Sequence, residues 1–265
     1  MNLNIKGRTA VITGGSKGIG FAVAEGLARE GVDLFILARK TEDLKKASKK
    51  IEKKYNVKCV DIKADVTKLE DLEKAVSIIK ENTDAVDILI NNAGTGSKED
   101  IMDASDEKWQ YYWDLHVMAA VRLSRMIVPM MKKNENEGVI LNTSSICAKQ
   151  PLDYEPIYNT TKAALTMLSK CLANELIDDN IRVNSVNPGL ILTSDWKSTA
   201  KKLTEGKDIT LDDYFRDIAE DKTPIGRFAD PEEVANFYVF LSSPLASYMT
   251  GSSYYVDGGW LNTTI

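Results

Sequence analysis

Histidine and cysteine are nearly missing from this sequence. Its 265 residues hold one histidine, His116, and three scattered cysteines, Cys59, Cys147 and Cys171. An odd, dispersed set of thiols makes no disulfide framework and suits a reducing compartment. With one imidazole and no clustered thiols, no metal site is expected. Long apolar runs are lacking too: none approaches the roughly 18 residues that span a bilayer. The first expected strand is reached by about Arg8, which leaves no room for a secretory signal. A cytoplasmic location is the expectation. Gly/Ser/Pro-rich linkers, low-complexity tracts and internal repeats are absent, so one domain over residues 1–265 is the simplest organisation. Charge is modest. A formal net charge of −5 gives no support to nucleic acid or an anionic membrane as partner.

What is present is alternation. The 43% hydrophobic content is enough for a sizeable core, and it falls into short β-rich runs separated by helix-period segments. Strands are expected at Thr9–Thr13, Leu34–Ala38, Val57–Ile62, Ile88–Ile90, Val139–Asn142, Arg182–Asn187 and Tyr254–Val256. Helical spacing recurs at Leu69, Leu72, Val76 and Ile79. It recurs again at Leu44, Ala47, Ile51 and Tyr55, beneath a lysine-rich face that reads as solvated surface. The pattern predicts an α/β fold: a single-domain, doubly wound, Rossmann-like parallel sheet of about seven strands with helices on both faces. The stretch from Thr193 to Lys222 is long, polar and dotted with Trp196, Tyr214 and Phe215; it reads as an inserted lid or substrate loop.

Two local patterns carry chemistry. Strand Thr9–Thr13 runs into Gly14-x-x-x-Gly18-x-Gly20 and then a helix from about Ile19 to Glu30. Such glycines permit a tight turn and close approach of a pyrophosphate, which the helix N-terminus then holds. The end of the second strand reads Ala38-Arg39-Lys40, where an NAD site usually has an acid. A guanidinium there suits a 2′-phosphate, and Lys17 adds a second charge, so NADP(H) is expected ahead of NAD(H). The bland alternative is that Arg39 only begins a solvated helix. The second pattern is Ser145, then Tyr158, then Lys162. Tyr158 and Lys162 stand at i and i+4 on one helix face. An ammonium there is expected to stabilise phenolate and lower the tyrosine pKa.

Taken in order, these motifs resemble the short-chain dehydrogenase/reductase family over nearly the whole chain. TGGSKGIG at Thr13–Gly20 is similar to its cofactor turn (Gly14, Ser16, Lys17, Gly18, Ile19, Gly20). Asp65-Val66 resembles its adenine-contacting pair, and Asn91-Asn92-Ala93-Gly94 its NNAG. Asn142–Ser145 ends the fifth strand with a serine, and Tyr158/Lys162 match YxxxK. Asn187-Pro188-Gly189-Leu190-Ile191-Leu192-Thr193 resembles the segment beside the nicotinamide, and Tyr254–Gly259 the C-terminal strand and turn.

The resemblance implies an enzyme interconverting a ketone and a secondary alcohol by hydride transfer, with no metal. Tyr158 would be general acid or base, and Lys162 would tune it and hold the nicotinamide ribose. Ser145 would bind the substrate oxygen. Ser144 competes for that role, but the spacing to Tyr158 favours Ser145. Arg39, Asp65, Val66, Asn92, Ala93, Gly94, Pro188, Gly189, Ile191 and Thr193 complete the cofactor set with Tyr158 and Lys162. Relatives often carry an Asn after W-x-x-x-x-D-x; here Trp109–Leu115 is followed by His116. His116 either supports the relay water, shuttles a proton itself, or merely fills a helix turn. Pocket candidates are Thr95, Gly96, Cys147, Gln150, Tyr154, Leu190 and Trp196.

A small-molecule ketone, sugar or steroid-like substrate is expected. Reduction of 3-oxoacyl groups on acyl carrier protein ranks second, because Asp178-Asp179-Asn180 would repel an acidic carrier although Lys132 and Lys133 offset this in part. A non-catalytic NADP-sensing protein and a purely structural oligomer rank below. The family implies a homotetramer, with helices about Glu107–Lys133 and Pro156–Ile177 at one interface and about Pro231–Leu241 with the C-terminal strand at another.

Overall fold

A computed structural model describes residues 2–96, 98–134, 136–153 and 155–263. Seven strands form one sheet in the order β3-β2-β1-β4-β5-β6-β7. They are β1 (Thr9–Thr13), β2 (Asp33–Ala38), β3 (Cys59–Lys63), β4 (Ile88–Asn91), β5 (Gly138–Thr143), β6 (Ile181–Pro188) and β7 (Ser253–Val256). Every neighbouring pair is parallel. Parallel strands need crossover connections, and helices supply them: α1 (Gly18–Arg29), α2 (Thr41–Tyr55), α3 (Leu69–Asn82), α4 (Asp106–Trp113), α5 (Ala119–Met131), α6 (Pro156–Leu176) and α9 (Pro231–Leu241). Among the described residues, no helix is long and apolar enough to cross a membrane.

Alternation along each strand splits the core in two. Ile12, Leu34, Ile36, Ile90 and Leu141 face one side, where Val23 and Leu27 of α1, Leu44 and Ile51 of α2 and Val234 of α9 cover them. Val11, Phe35, Leu37, Leu89 and Ile140 face the other, under Leu72 and Ile79 of α3, Leu123 of α5 and Ile157 of α6. Covering both faces explains why the central strands are apolar throughout. The lysine face of α2 is solvated, as its pattern predicts. Leu69 departs from the expected apolar stripe: at the first turn of α3 it lies outside the core and is exposed.

Two helical regions differ from their sequence expectation. The helix expected over Glu107–Lys133 is interrupted by a π-helical turn at Asp114–Met118, where the Ala119 N–H bonds to the Asp114 carbonyl. The polar stretch from 193 to 222 is mostly helical: α7 (Ser194–Thr204) and α8 (Leu211–Lys222), each opened by a threonine cap. Their aromatic residues pack together, with Trp196 and Phe215 edge-on to Phe228 at 5.3 and 5.2 Å.

The sheet order reverses beside β1, so the C-terminal ends of β1 and β4 diverge and open a crevice there. At the far side of the sheet, β6 stays buried along its whole length despite its polar residues. Arg182, 2% exposed, donates to the carbonyls of Leu241, Ser243 and Met249 and pairs with Glu137 at 2.8 Å. Truncating this side chain leaves three carbonyls and a carboxylate without their cation. Arg182→Met is expected to lower stability by about 3–5 kcal/mol, seen as a lower urea midpoint at unchanged slope.

Candidate active site

The crevice is a cleft of about 720 Å³ along the C-terminal ends of β1, β2, β3, β4, β5 and β6. One end is formed by the glycine turn after β1. Gly14 takes a positive φ of 69°, and a Cβ there would stand 2.8 Å from Asn92 Nδ2. At Gly20 a Cβ would stand 2.4 Å from both Asn92 Nδ2 and the Gly14 carbonyl. Only glycine lets the turn rest on Asn92 this closely. Behind it, α1 begins with no capping side chain and no acid in its first turn, so its free N–H groups face the cleft as an anion site.

Asn92 is held tightly. Its side chain donates to the Thr13 carbonyl at 3.0 Å, and the backbone N–H groups of Asn92 and Ala93 donate to Thr13 Oγ1 at 2.9 Å. At the outer end, Arg39 leaves β2 and donates to the Tyr111 hydroxyl at 3.3 Å. Lys17 reaches across the cleft to Asp195 on α7 at 2.6 Å. The turn and α7 are therefore joined by an exposed ion pair.

Tyr158 and Lys162 come from the first turns of α6, and Ser145 from the end of β5. All three line the cleft. Ser144 lines it too, but its hydroxyl donates to the Lys162 carbonyl at 2.9 Å and accepts from Thr166 at 2.8 Å, so it is spent on α6. Lys162 is 2% exposed. Its ammonium donates to the Thr143 carbonyl at 2.7 Å and lies 5.4 Å from the Tyr158 ring centre. Burial pulls its pKa down to about 8, against a smaller opposing effect of Cys147. The expectation for Tyr158 is reversed. Burial, then the neighbouring Cys147 and Glu155, push the phenol up, and the Ser145 hydroxyl offsets this only in part. With Nζ drawn to the Thr143 carbonyl, the phenol keeps its proton at neutral pH.

His116 sits in the π-helical turn, buried behind Gly94 and Thr95. Nε2 accepts from the Thr95 N–H at 3.4 Å. Nδ1 lies 2.8 Å from Thr161 Oγ1, which itself donates to the Ile157 carbonyl at 2.9 Å. With Thr161's proton committed, Nδ1 carries the hydrogen. The ring also meets the edge of the Tyr158 ring at 5.3 Å. Burial, and then the Lys162 charge, hold its pKa well below 6.5. A neutral imidazole with both nitrogens engaged braces Tyr158 and the loop after β4.

Of the residues singled out from the sequence, the cleft gathers Gly14, Ser16, Lys17, Gly18, Ile19, Arg39, Asp65, Val66, Asn92, Ala93, Gly94, Ser145, Tyr158, Lys162, Pro188, Gly189, Ile191 and Thr193. Gly20 and His116 stand behind it. Thr95, Gly96 and Trp196 line it as well. Cys147 is buried beside Ser145, and its thiol is pushed up to about 11 by burial. Leu190 belongs to the apolar cluster under the lid. Gln150 opens on a separate hollow with Lys222, Pro224 and Trp260. Tyr154 lies outside the described residues.

Two residues escaped the sequence analysis. Thr143, the last residue of β5, supplies the carbonyl that holds Lys162. Glu155 precedes the first turn of α6 without capping it through its side chain, and a Cβ on Gly96 would lie 2.4 Å from its Oε1. Burial, then Glu99, raise the Glu155 pKa to about 7. Thr143 lies inside the Asn142–Ser145 segment, but neither its carbonyl nor the Glu155 carboxylate shows a role until the fold assigns it neighbours.

Comparison with known proteins places these features. Residues 14–261 match the family profile described as Enoyl-(Acyl carrier protein) reductase. The solved structure of L-sorbose reductase from Gluconobacter frateurii, complexed with NADPH and L-sorbose, superposes with a TM-score of 0.98 at 52% identity, covering 100% of both chains. An oxidoreductase of Bacillus subtilis is 35% identical over 98% of each chain. The 3-oxoacyl-[acyl-carrier-protein] reductase of Aquifex aeolicus is 33% identical over 98% of this chain and 99% of its own.

Because His116 is the only histidine of the sequence, its state is directly readable. Two-dimensional 15N NMR is expected to show one neutral Nδ1–H imidazole through the pH range in which an ordinary histidine titrates. A protonated ring at pH 6 would remove it as a fixed brace.

Proposed function

The chain belongs to the short-chain dehydrogenase/reductase family of oxidoreductases, and from that premise we propose that it reduces the carbonyl of a polyhydroxylated ketone at the expense of NADPH. The cofactor reading is supported by the open α1 N-terminus, by the glycine turn resting on Asn92, and by Arg39 and Lys17 where a 2′-phosphate would lie. It is also supported by the NADPH carried by the L-sorbose reductase structure. When bound, NADPH supplies the hydride.

The chain's own groups do the rest. Ser145 Oγ donates to the substrate carbonyl oxygen and stabilises charge as it develops. Tyr158, held protonated by its buried setting, gives its proton to that oxygen. Lys162 is anchored to Thr143; its cation stabilises the phenolate that is left. In the reverse direction the same groups take the proton back. His116 keeps the Tyr158 ring in place without exchanging a proton.

The observation that carries the substrate class is Glu155. Its carboxylate is near enough to Tyr158 and Cys147 to raise both their pKa values, and it abuts Gly96. A carboxylate with a pKa of about 7 offers two acceptors to substrate hydroxyls at no cost in charge repulsion. A ketose suits this, as the 52% identity to L-sorbose reductase also suggests. An acidic acyl carrier suits it less. Glu155 adds negative charge at the mouth, and of the Asp178–Asp179 pair only Asp179 is neutralised, by Lys132 at 2.6 Å. His116 occupies the helix position where relatives often carry the relay Asn, with both ring nitrogens engaged.

The test is a rate panel with NADPH and NADH against ketoses, simple ketones and a 3-oxoacyl thioester. NADPH with a ketose is expected to be fastest, and Tyr158→Phe is expected to lower kcat/KM by about 10²–10⁴-fold. Full turnover by Tyr158→Phe would sink the assignment of the acid.

Glu155 gives a second, separable outcome. As pH rises through about 7 it ionises and becomes the better acceptor, so the ketose KM is expected to fall. Glu155→Gln should raise that KM about tenfold above pH 7 and flatten its pH dependence, with simple ketones unaffected. An unchanged pH profile in Glu155→Gln would detach the carboxylate from substrate recognition.

A further inference from the structure

The strongest unassigned feature is a fully buried phenol far from the reacting groups in sequence. Tyr238 lies on α9 and is 0% exposed. Its hydroxyl is 2.7 Å from Thr143 Oγ1. Among the described residues, no other hydrogen-bond partner of that hydroxyl is found. A buried O–H must donate to something, so Tyr238 donates and Thr143 accepts. Burial raises the phenol's pKa and keeps it a donor at every working pH.

That direction fixes the rest of the chain. With its lone pair occupied, Thr143 Oγ1 donates onward to Asn92 Oδ1 at 3.4 Å. The Asn92 amide is thereby oriented with Nδ2 toward the Thr13 carbonyl, under Gly14 and Gly20. The backbone carbonyl of the same Thr143 holds the Lys162 ammonium at 2.7 Å. One threonine therefore serves both the catalytic lysine and the bed of the cofactor turn, and Tyr238 pins that threonine from behind.

We propose that Tyr238 is a positioning residue for both proton transfer and cofactor binding: its hydroxyl sets the direction of the Tyr238–Thr143–Asn92 chain and holds the Thr143 carbonyl on Lys162. This rests on the assignment of Tyr158 and Lys162 given above. It adds that α9, on the opposite face of the sheet from α6, is mechanically part of the active site.

The test is Tyr238→Phe, which removes one oxygen from a filled space. If the hydroxyl positions Thr143, kcat falls about fivefold to tenfold and the NADPH dissociation constant rises about fivefold, the scale of one buried hydrogen bond. The ketose KM stays put. The titration of Lys162 near pH 8 also moves. In protein without cofactor it is followed through the 15N shifts of the single imidazole of His116, with Cys147 and Tyr158 as the other titratable neighbours.

Thr143→Val is the second variant, should Tyr238→Phe fail to fold. It is expected to reproduce the same losses, and the double variant to add little to either. Lowered thermal stability with wild-type kcat, cofactor affinity and Lys162 titration would make Tyr238 a packing residue only and overturn the proposal. Strict additivity of the two variants would do the same. Tyr158→Phe in the same assay separates the cases. If it keeps turnover, the function above fails; if it is inactive while Tyr238→Phe behaves as wild type, only this inference fails.

Discussion

Burying the Lys162 ammonium is the constraint on which the rest of this structure depends. A cation at 2% exposure costs several kcal/mol of hydration unless dipoles replace the water. Here the replacement is the Thr143 carbonyl at 2.7 Å at the open end of β5. That requires the strand to stop at this height, and α6 to start close enough for its second turn to lie over the strand end. It also requires the π-helical turn at Asp114–Met118 to wall off solvent with His116. Burial then has its chemical consequence. Low dielectric holds the proton on Tyr158 and softens Lys162 toward neutrality, so small movements of charge beside them carry large energetic effects.

The same economy explains why one amide serves so many neighbours. Asn92 touches β1 through Thr13, β5 through Thr143 and the glycine turn through Gly14 and Gly20. The half-buried amide donates through Nδ2 to the Thr13 carbonyl and accepts at Oδ1 from Thr143 Oγ1, and only one of its two orientations meets both partners. Polar groups in such a network fix each other's directions, and a fully satisfied network is rigid. Rigidity is what a site needs when it positions two reactants rather than reacting itself.

Much of this was legible in the sequence, and the parts that were not share a physical reason. Strand β1 and helix α9 fall at the bounds expected from the sequence, because local pattern and tertiary burial agree. The glycine turn and the Tyr158/Lys162 pair are also local, held within one turn of backbone. The π-helical turn is not: an i→i+5 bond has no residue signature, and Trp109–Met131 scans as unbroken helix until Asp114–Met118 is seen to hold an extra residue. The lid looked like a loop because α7 and α8 bury little. Their capping threonines, Thr193 and Thr210, were the overlooked signal. Thr143 and Glu155 act through neighbours distant in sequence, and composition is blind to that. The sign of the Tyr158 shift was missed for the same cause, since desolvation exceeds one nearby cation and only the fold sets the depth of burial.

The cleft is electrically polarised along its length, and this decides what it suits. The cofactor end presents Lys17, Arg39 and the α1 N-terminus, all favouring anions. Away from the glycine turn, Glu155 lies against Gly96 of the cleft wall, with Glu99 close enough to raise its pKa and itself paired with Lys108. Charge of opposite sign at the two places favours anions at the glycine turn and neutral groups near Glu155. The Lys17–Asp195 pair at 2.6 Å lies at the boundary between the two fields. It ties the lid to the anion-binding turn, so a phosphate drawn to Lys17 competes directly with the carboxylate of α7. Exposed pairs are individually weak, which makes this one easy to exchange.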